Sequence, residues 1–327
     1  MVHYLKKHSI RDVAELAGVS TATVSHVLNG TRQVTNETRD KVLAAINVLQ
    51  YTPNIAARGF RTGHSKTIAF IVPDIRNLFF SGLIEAIESS LSEAGYHLVV
   101  ANTKENPSRE IELYKYFTSG VVDGIIAAST LASGDELLPI LPPSFPVVLV
   151  DRRPSNSLWD TITISSDRAI ADGVSYLAAK GHQKIGFIYA LPHLSTTMER
   201  LSAFKNALVK NNIDVNEDYI LCSGIPSADA AANAERLLKA GCTAIVVCNG
   251  IMTFEVQQYL WEHNYSLGDK IDVIGFKDEY YLAAGSHYIS QPVEELGALA
   301  VSQILTRINS DNIAIRDIAL NSVFITG

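Results

Sequence analysis

The sequence predicts an α/β protein: a small three-helix head, a short hinge, and a large body made of two doubly wound parallel-sheet lobes. Three observations predict it. Residues 10–30, IRDVAELAGVSTATVSHVLNG, set two short amphipathic helical patterns on either side of a Gly-Val-Ser break. From Lys66 onward, apolar strand-like runs alternate with helical patterns as far as the carboxyl end. Charge is also divided unevenly: up to Lys66 nine basic residues face four acidic ones, although the whole chain of 327 residues carries −7. The head is thus +5 and the remainder −12, which suits a molecule that places one end on a polyanion.

Within the head, Ile10, Val13, Ala14 and Ala17 fall at i, i+3, i+4 and i+7, one face of a helix. Gly18 supplies the positive φ that ends it, and Ser20 caps a second helix whose inner face is Val24, Val27 and Leu28. Two helices joined so tightly cross steeply and leave one face of the second open. This is helix-turn-helix geometry, in which the open helix enters a DNA major groove. Thr35 then caps a third helix with a buried stripe of Val42, Ala45, Ile46 and Leu49, ending near Tyr51. Pro53 stops regular structure, and NIAARGF offers a helix too short to stand alone in water.

The body opens on TIAFIV, an unbroken β-branched run of the kind buried on both faces of a parallel sheet. A helix marked by Phe80, Leu83, Ile84, Ile87 and Leu91 follows, then strand HLVVAN, helix REIELYKYF, and strands VDGIIAAS, PVVLVD and TITIS. Next come a helix over Ala169–Lys180, strand KIGFIYA, a helix with Leu201, Phe204 and Leu208, and strand YILCSG. A helix over Asp229–Lys239, strand TAIVVCN, a helix from Phe254 to His263, strand IDVIGF and a closing strand–helix–strand complete the pattern, with that helix at Val293–Ile308. So many strands divide best into two sheets, with ligands in the crevice at their carboxyl ends. The expected boundaries are 1–52 for the head, 53–65 for hinge and linker, and 66–327 for the body. Lobe 1 takes about 66–164 and 293–321, and lobe 2 about 165–292 and 322–327.

Several function classes are excluded. No uncharged apolar stretch approaches the ~18 residues of a membrane span, and MVHYLKKHS has no apolar run behind its lysines, so a cytoplasmic chain without a membrane partner is expected. Cys222, Cys242 and Cys248 form no C-x-x-C spacing, which predicts buried reduced thiols rather than a disulfide or metal site. The chain has no G-x-G-x-x-G after its first strand, no P-loop, no H-E-x-x-H and no G-x-S-x-G. Neither catalysis nor a cofactor is therefore expected. A transport binding protein would share the two lobes but would have no use for residues 1–60.

Together, IRDVAELAGVSTATVSHVLNGTRQV, YTPNIAARGFRTG, TIAFIVPDIRNLFF, VDGII, KGHQKIGFI, VIGF and YISQPVEELG resemble the LacI/GalR family of bacterial transcription regulators, from about Ser9 to the carboxyl end. The reading head VSTATVSHVLN is most similar to those of the purine and ribose repressors. The resemblance implies a homodimer on a palindromic operator, with repression as the usual outcome. It also implies lobes folded like periplasmic sugar-binding proteins, with a small-molecule effector between them. It assigns base reading to Thr21, Ala22 and His26. A histidine can bond guanine N7 or O6, while the other two present a hydroxyl and a methyl surface. Many members carry arginine where His26 stands. Ser20, Thr23, Ser25 and Asn29 then act as caps and phosphate contacts that fix register.

The resemblance also makes Asn54–Phe60 a hinge helix that orders in the minor groove. There Asn54, Ala57 and Arg58 approach the duplex, and Phe60 takes the place of the usual leucine wedge. Packing of Phe60 against the effector domain is the alternative. For the pocket it implies Arg76, Phe79, Asp151, Arg200, Asn249 and Lys277. Gly250 and Lys277 replace two aspartates common in the family, and the aromatic often found near Ile225 is missing. Arg200 with Lys277 would make the crevice electropositive, predicting an anionic effector such as a sugar acid or phosphorylated metabolite. Pairing of Lys277 with Asp278 or Glu279 at the surface is the alternative.

Overall fold

A computed structural model describes residues 8–30, 32–52, 64–142, 144–224, 229–268, 270–276, 287–310 and 314–327, with Asn29 described in its backbone only. The chain divides into two compact units, Met1–Ser65 and Lys66–Gly327.

The first unit is three helices around a small core. Helix α1 (Ile10–Ala17) starts in a capping box: Ser9 Oγ accepts from the Asp12 amide at 3.3 Å, and the Asp12 carboxylate accepts from the Ser9 amide at 2.7 Å. It stops at Gly18, φ +64°, where the Gly18 amide reaches the Glu15 carbonyl and the Val19 amide the Ala14 carbonyl. Ser20 then caps α2 (Thr21–Asn29), and Thr35 caps α3 (Asn36–Leu49). Val13, Ala14, Ala17, Val24, Val42 and Ala45 are buried between them, with Ile10, Val27, Leu28, Ile46 and Leu49 packed at the edge. Each stripe expected from periodicity therefore faces the same core, which fixes α2 through Val24 and leaves its other side outward.

The second unit holds two six-stranded sheets. In lobe 1, β1 (Thr67–Val72), β2 (His97–Asn102), β3 (Gly124–Ala127), β4 (Val147–Val150), β5 (Asp160–Ser165) and β11 (Asp317–Asn321) lie in the order β11-β5-β4-β3-β1-β2, all parallel. Helices α4 (Leu78–Glu93), α5 (Pro107–Phe117) and α10 (Val293–Asn309) cover it. Strand β1 shows why its run is apolar throughout. Ile68, Phe70 and Val72 face the core under α4 and α10, while Ala69 and Ile71 face Tyr114 and Phe117 of α5.

Lobe 2 contains β6 (Ile185–Ala190), β7 (Ile220–Ser223), β8 (Ala244–Val247), β9 (Asp272–Phe276), β10 (His287–Ser290) and β12 (Val323–Ile325), in the order β12-β10-β9-β8-β6-β7. Helices α6 (Asp167–Ala179), α7 (Ser195–Lys210), α8 (Ala230–Lys239) and α9 (Gly250–Glu262) pack with it. Gly275 lets α9 lie close on β9, since an added Cβ would stand 2.0 Å from the Thr253 methyl.

The chain passes between lobes after β5, after β10 and at Ser322 between β11 and β12. The Ser322 amide donates to the Ser165 carbonyl at 2.9 Å, and its hydroxyl lies 3.0 Å from that of Ser166, which ties two crossings together. Three expectations need correction. Strand β12 runs antiparallel to β10: both sheets aim their carboxyl ends at the crevice, so a chain running straight from β11 into lobe 2 enters against that sheet's direction. Helix α9 starts at Gly250 rather than Phe254, because Asn249 caps it. Cys222 is exposed, on the outward face of edge strand β7, while Cys242 and Cys248 are buried. Among the described residues, no helix is long and apolar enough to cross a membrane.

Candidate DNA-reading helix and effector crevice

Helix α2 presents its first turn outward. Ser20 Oγ accepts from the Thr23 amide at 3.1 Å and lies 2.9 Å from Thr23 Oγ1, so these two hydroxyls form the cap. Val24 is fully buried, whereas Thr21 and Ala22 are exposed. Ser25 and His26 are half-buried. Spacing of four residues stacks His26 behind Ala22 and Ser25 behind Thr21 on the outward side. The structure thus brings Thr21, Ala22 and His26 onto one accessible surface, with Ser20 and Thr23 at its start. The side chain of Asn29 lies outside what is described, as do Asn54, Ala57, Arg58 and Phe60.

The six expected pocket residues are not all alike. Arg76 is exposed after β1, and its guanidinium engages Asp74 through Nε at 3.1 Å and a terminal nitrogen at 2.9 Å. Its charge is therefore held at the rim. Phe79 lies half-buried in the first turn of α4, edge-on to Phe80 with centroids 5.1 Å apart. Asn249 Oδ1 accepts from the Met252 amide at 2.9 Å as the cap of α9. Lys277 lies outside the described residues.

Asp151 and Arg200 are different: both are buried, one from each lobe. Asp151 follows β4, and burial pushes its carboxyl above the usual range, opposed by the charges of Arg152 and Arg200. Arg152 Nε is 3.8 Å from its Oδ2. Arg200 lies on α7. One terminal nitrogen donates to the Cys248 carbonyl at 2.7 Å, and the guanidinium carbon sits 3.9 Å from the centre of the Phe276 ring. The Cys248 carbonyl and Phe276 stand at the carboxyl ends of β8 and β9. Carbonyl and ring fix the plane of the guanidinium at the crevice without neutralising it.

Sequence reasoning missed the supports around this pair. Buried Arg152 forks onto half-buried Glu105, at 2.8 and 2.7 Å. In the floor of lobe 1, buried Glu110 accepts from Ser129 Oγ at 2.6 Å and the Thr130 amide at 2.6 Å. Burial raises its pKa, against the pull of those bonds. No local pattern marks these contacts, because Glu105 and Arg152 are 47 residues apart. A cavity of about 480 Å³ lies elsewhere, between α6 and α7, lined by residues such as Asp167, Glu199 and Asn206. The crevice, by contrast, lies at the carboxyl ends of both sheets and holds buried, ionisable groups from two lobes, the features expected of a ligand site in such folds.

Residues 9–54 match the family described as "Bacterial regulatory proteins, lacI family", and residues 174–326 match the "Periplasmic binding protein-like domain". The chain is 32% identical over 311 residues to the HTH-type transcriptional repressor PurR of Photobacterium profundum, covering 93% of each chain. The chain belongs to the LacI family. It is a transcriptional repressor with a DNA-binding domain and an effector-binding domain, not an enzyme. As a member of the LacI family it is also 30% identical to the ribose operon repressor of Haemophilus influenzae, over 95% of each chain. Its fold matches that of a Lac repressor dimer bound to operator and the anti-inducer ONPF, with a TM-score of 0.85, 23% identity and 98% of each chain covered.

Proposed function

We propose that two copies of this LacI-family repressor bind an inverted-repeat operator, and that a small hydroxylated metabolite in the crevice changes their grip on it. The observation that carries the effector reading is the buried pair Asp151 and Arg200, an acceptor from lobe 1 and donors from lobe 2. A sugar or sugar acid offers a hydroxyl to the first and an oxygen to the second. Asp151 offsets the Arg200 charge, so a net preference for anions now rests on Lys277. Dimerisation is supported by β2, an edge strand whose Val99 and Val100 are 40% and 38% exposed.

On the DNA side, Thr21, Ala22 and His26 read bases, Ser20, Thr23, Ser25 and Asn29 set register on phosphates, and Asn54, Ala57, Arg58 and Phe60 form the minor-groove hinge. His26→Ala is expected to lose about 1–3 kcal/mol of base discrimination, and Thr21→Ala less, in competition gel-shift assays. A His26→Ala variant that keeps wild-type preference at every operator position would remove this histidine from the reading surface.

The central experiment selects bound genomic fragments with the full-length chain, then compares intact inverted repeats with single half-sites by gel retardation. Tighter retardation of the intact repeat, lost on deleting residues 1–60, is the expected result. Equal binding of half-site and repeat would end the paired-reader proposal. A thermal-shift panel of sugars, sugar acids and phosphorylated metabolites tests the crevice. A ligand at 100 times its Kd stabilises the folded state by about 2.7 kcal/mol. A panel in which only apolar molecules shift the transition would overturn the hydroxylated effector.

A further inference from the structure

Helix α6 leads into β6 and α7 leaves it, so the two lie side by side and run the same way, away from the crevice. Between them is the cavity of about 480 Å³. Its floor is small and apolar, formed by Ala171 of α6 with Ala203 and Ala207 of α7. Its two ends differ in charge. Asp167 and Glu199, near the starts of their helices, stand at one end, and Lys210, the last residue of α7, stands at the other. The helical rise puts Glu199 and Lys210 about 16 Å apart along α7.

Ser202 and Asn206 lie between those ends. The side chains of these five polar residues make no hydrogen bond or ion pair among the described residues. Their neighbours on the same helices are engaged: Arg168 with Asp172 at 3.8 Å, Lys205 with Glu217 at 2.7 Å, and Asn211 with Ser175 at 3.0 Å. Free hydrogen-bonding capacity is thus concentrated on the strip that faces the cavity. Crowding at the acidic end is visible in Glu199. Partial burial raises its pKa, and Asp167 and Asp151 add to the rise against the pull of Arg153 and Arg200. A positive group seated between Asp167 and Glu199 relieves the repulsion between them.

We infer that this groove binds a short peptide with free termini, lying along α7 with its ammonium group between Asp167 and Glu199 and its carboxylate on Lys210. Three or four extended residues span about 10–14 Å, and the stem of Lys210 covers the remainder. Each peptide unit carries one donor and one acceptor. Ser202 and Asn206 can meet both in the middle of the groove, because each side chain donates and accepts. The alanine floor suits small side chains. A simple cation would leave Lys210 and the middle unused, and a simple acid would meet two carboxylates. Helix α7 turns Arg200 to the crevice on another face, so this second site needs neither effector nor operator.

The test uses the full-length chain with isotope-labelled methionine methyl groups, observed by NMR. Met198 lines the groove, whereas Met252 is buried in the first turn of α9, beside the crevice. Met198→Leu assigns the groove signal. The probe is trialanine with free ends, titrated beside its N-acetyl and C-amide forms and beside spermidine. Trialanine is expected to shift the Met198 methyl saturably and to leave Met252 in place. Capping either end is expected to weaken binding about tenfold or more, as loss of one hydrogen bond to a charged group does. Glu199→Gln is expected to weaken trialanine by a similar factor while leaving the N-acetyl form unaffected, and Lys210→Gln to do the same for the C-amide form. Both positions are exposed, and matched melting curves keep the comparison between folded proteins. Absence of a saturable Met198 shift up to about 10 mM trialanine overturns the site. So does equal binding of spermidine or of the capped peptides, which would reduce the groove to a pair of surface carboxylates. A shift at Met252 with Met198 unmoved would place the peptide in the crevice. A Met198 shift on concentrating the chain alone would give the groove to a second copy, and either result also overturns the inference.

Discussion

Arg200→Ala is expected to leave the chain folded and to weaken effector binding about 30-fold or more. Removing a buried, hydrogen-bonded charge at a binding surface costs about 2–5 kcal/mol, and Arg200 is such a charge: it is buried, bonds the neutral Cys248 carbonyl, and acts on Asp151 through its field. Its plane is set by the Cys248 carbonyl and the Phe276 ring, so a ligand oxygen meets donors already oriented. Its charge also opposes the burial that raises Asp151, and removing it sends the Asp151 pKa further up. The variant therefore loses a donor and at the same time turns its acceptor toward the neutral form. Arg200→Lys is not expected to rescue binding, because an ammonium neither lies flat on Phe276 nor forks onto an oxyanion. Calorimetry with the metabolite found by thermal shift measures both variants. Affinity within threefold of wild type for Arg200→Ala would remove this residue from the site.

The second large effect is on stability. Asp272, at the start of β9, is 2% exposed and holds three cationic or ionisable neighbours. Its Oδ2 accepts from Lys180 Nζ at 2.6 Å and faces His182 Nε2 at 2.7 Å, and its Oδ1 lies 3.5 Å from His287 Nε2. His182 Nδ1 meets Thr243 Oγ1 at 2.8 Å, and His287 Nδ1 accepts from the Gly327 amide at 3.1 Å. That last bond puts the proton of a neutral His287 on Nε2, toward Asp272. Asp272→Ala is expected to cost about 3–5 kcal/mol, the range for removing one partner of a buried ion pair. Urea denaturation followed by circular dichroism measures it, and a loss below about 1 kcal/mol would show that the network is dispensable.

The same cluster sets an acid limit. Burial alone would raise the Asp272 pKa, but hydrogen bonds and charge from Lys180 and His182 outweigh it, and the result is lowered. Burial lowers His287, against the pull of Asp272. Both folded pKa values thus lie below their unfolded ones, so the unfolded chain binds more protons over these ranges. The His287 contribution is complete above the ordinary imidazole range near pH 6.5 and is lost as pH falls through the lowered value. The Asp272 contribution is complete above the ordinary carboxylate range and is lost lower still. The urea midpoint is therefore expected to fall between about pH 7.5 and 5, with a shallower slope in His287→Phe, whose ring can keep the contacts with Tyr176 and Phe324. An equal slope in that variant would assign the acid sensitivity elsewhere.

Much of this molecule can be read along the chain. Caps Ser20 and Thr35, the stop at Gly18 and the stripes around Val24 depend on residues within one or two turns of each other. Their chemistry survives in any context, and so the reading head and the run of β-α units are legible. The start of α9 was not, because its cap, Asn249, precedes a glycine that weakens the helical pattern. In the crevice, Asp151 and Arg200 match the family by position, yet nothing local separates them from Arg76, whose charge Asp74 takes at the rim.

Local periodicity and capping thus set the helices, the strands and the capped head, since each needs only near neighbours to form. Which charges are neutralised and which stay available is a long-range matter. Arg152 finds Glu105 47 residues away, Arg200 finds the Cys248 carbonyl 48 away, and the Arg153 amide finds Ser195 in the other lobe. The first two pairs meet only once the sheet of their own lobe has assembled, and the third only once the chain has crossed into the second lobe. The reversed direction of β12 follows from the same crossings. Burial then gives each surviving charge its strength, because the cost of a lone ion depends on everything packed around it.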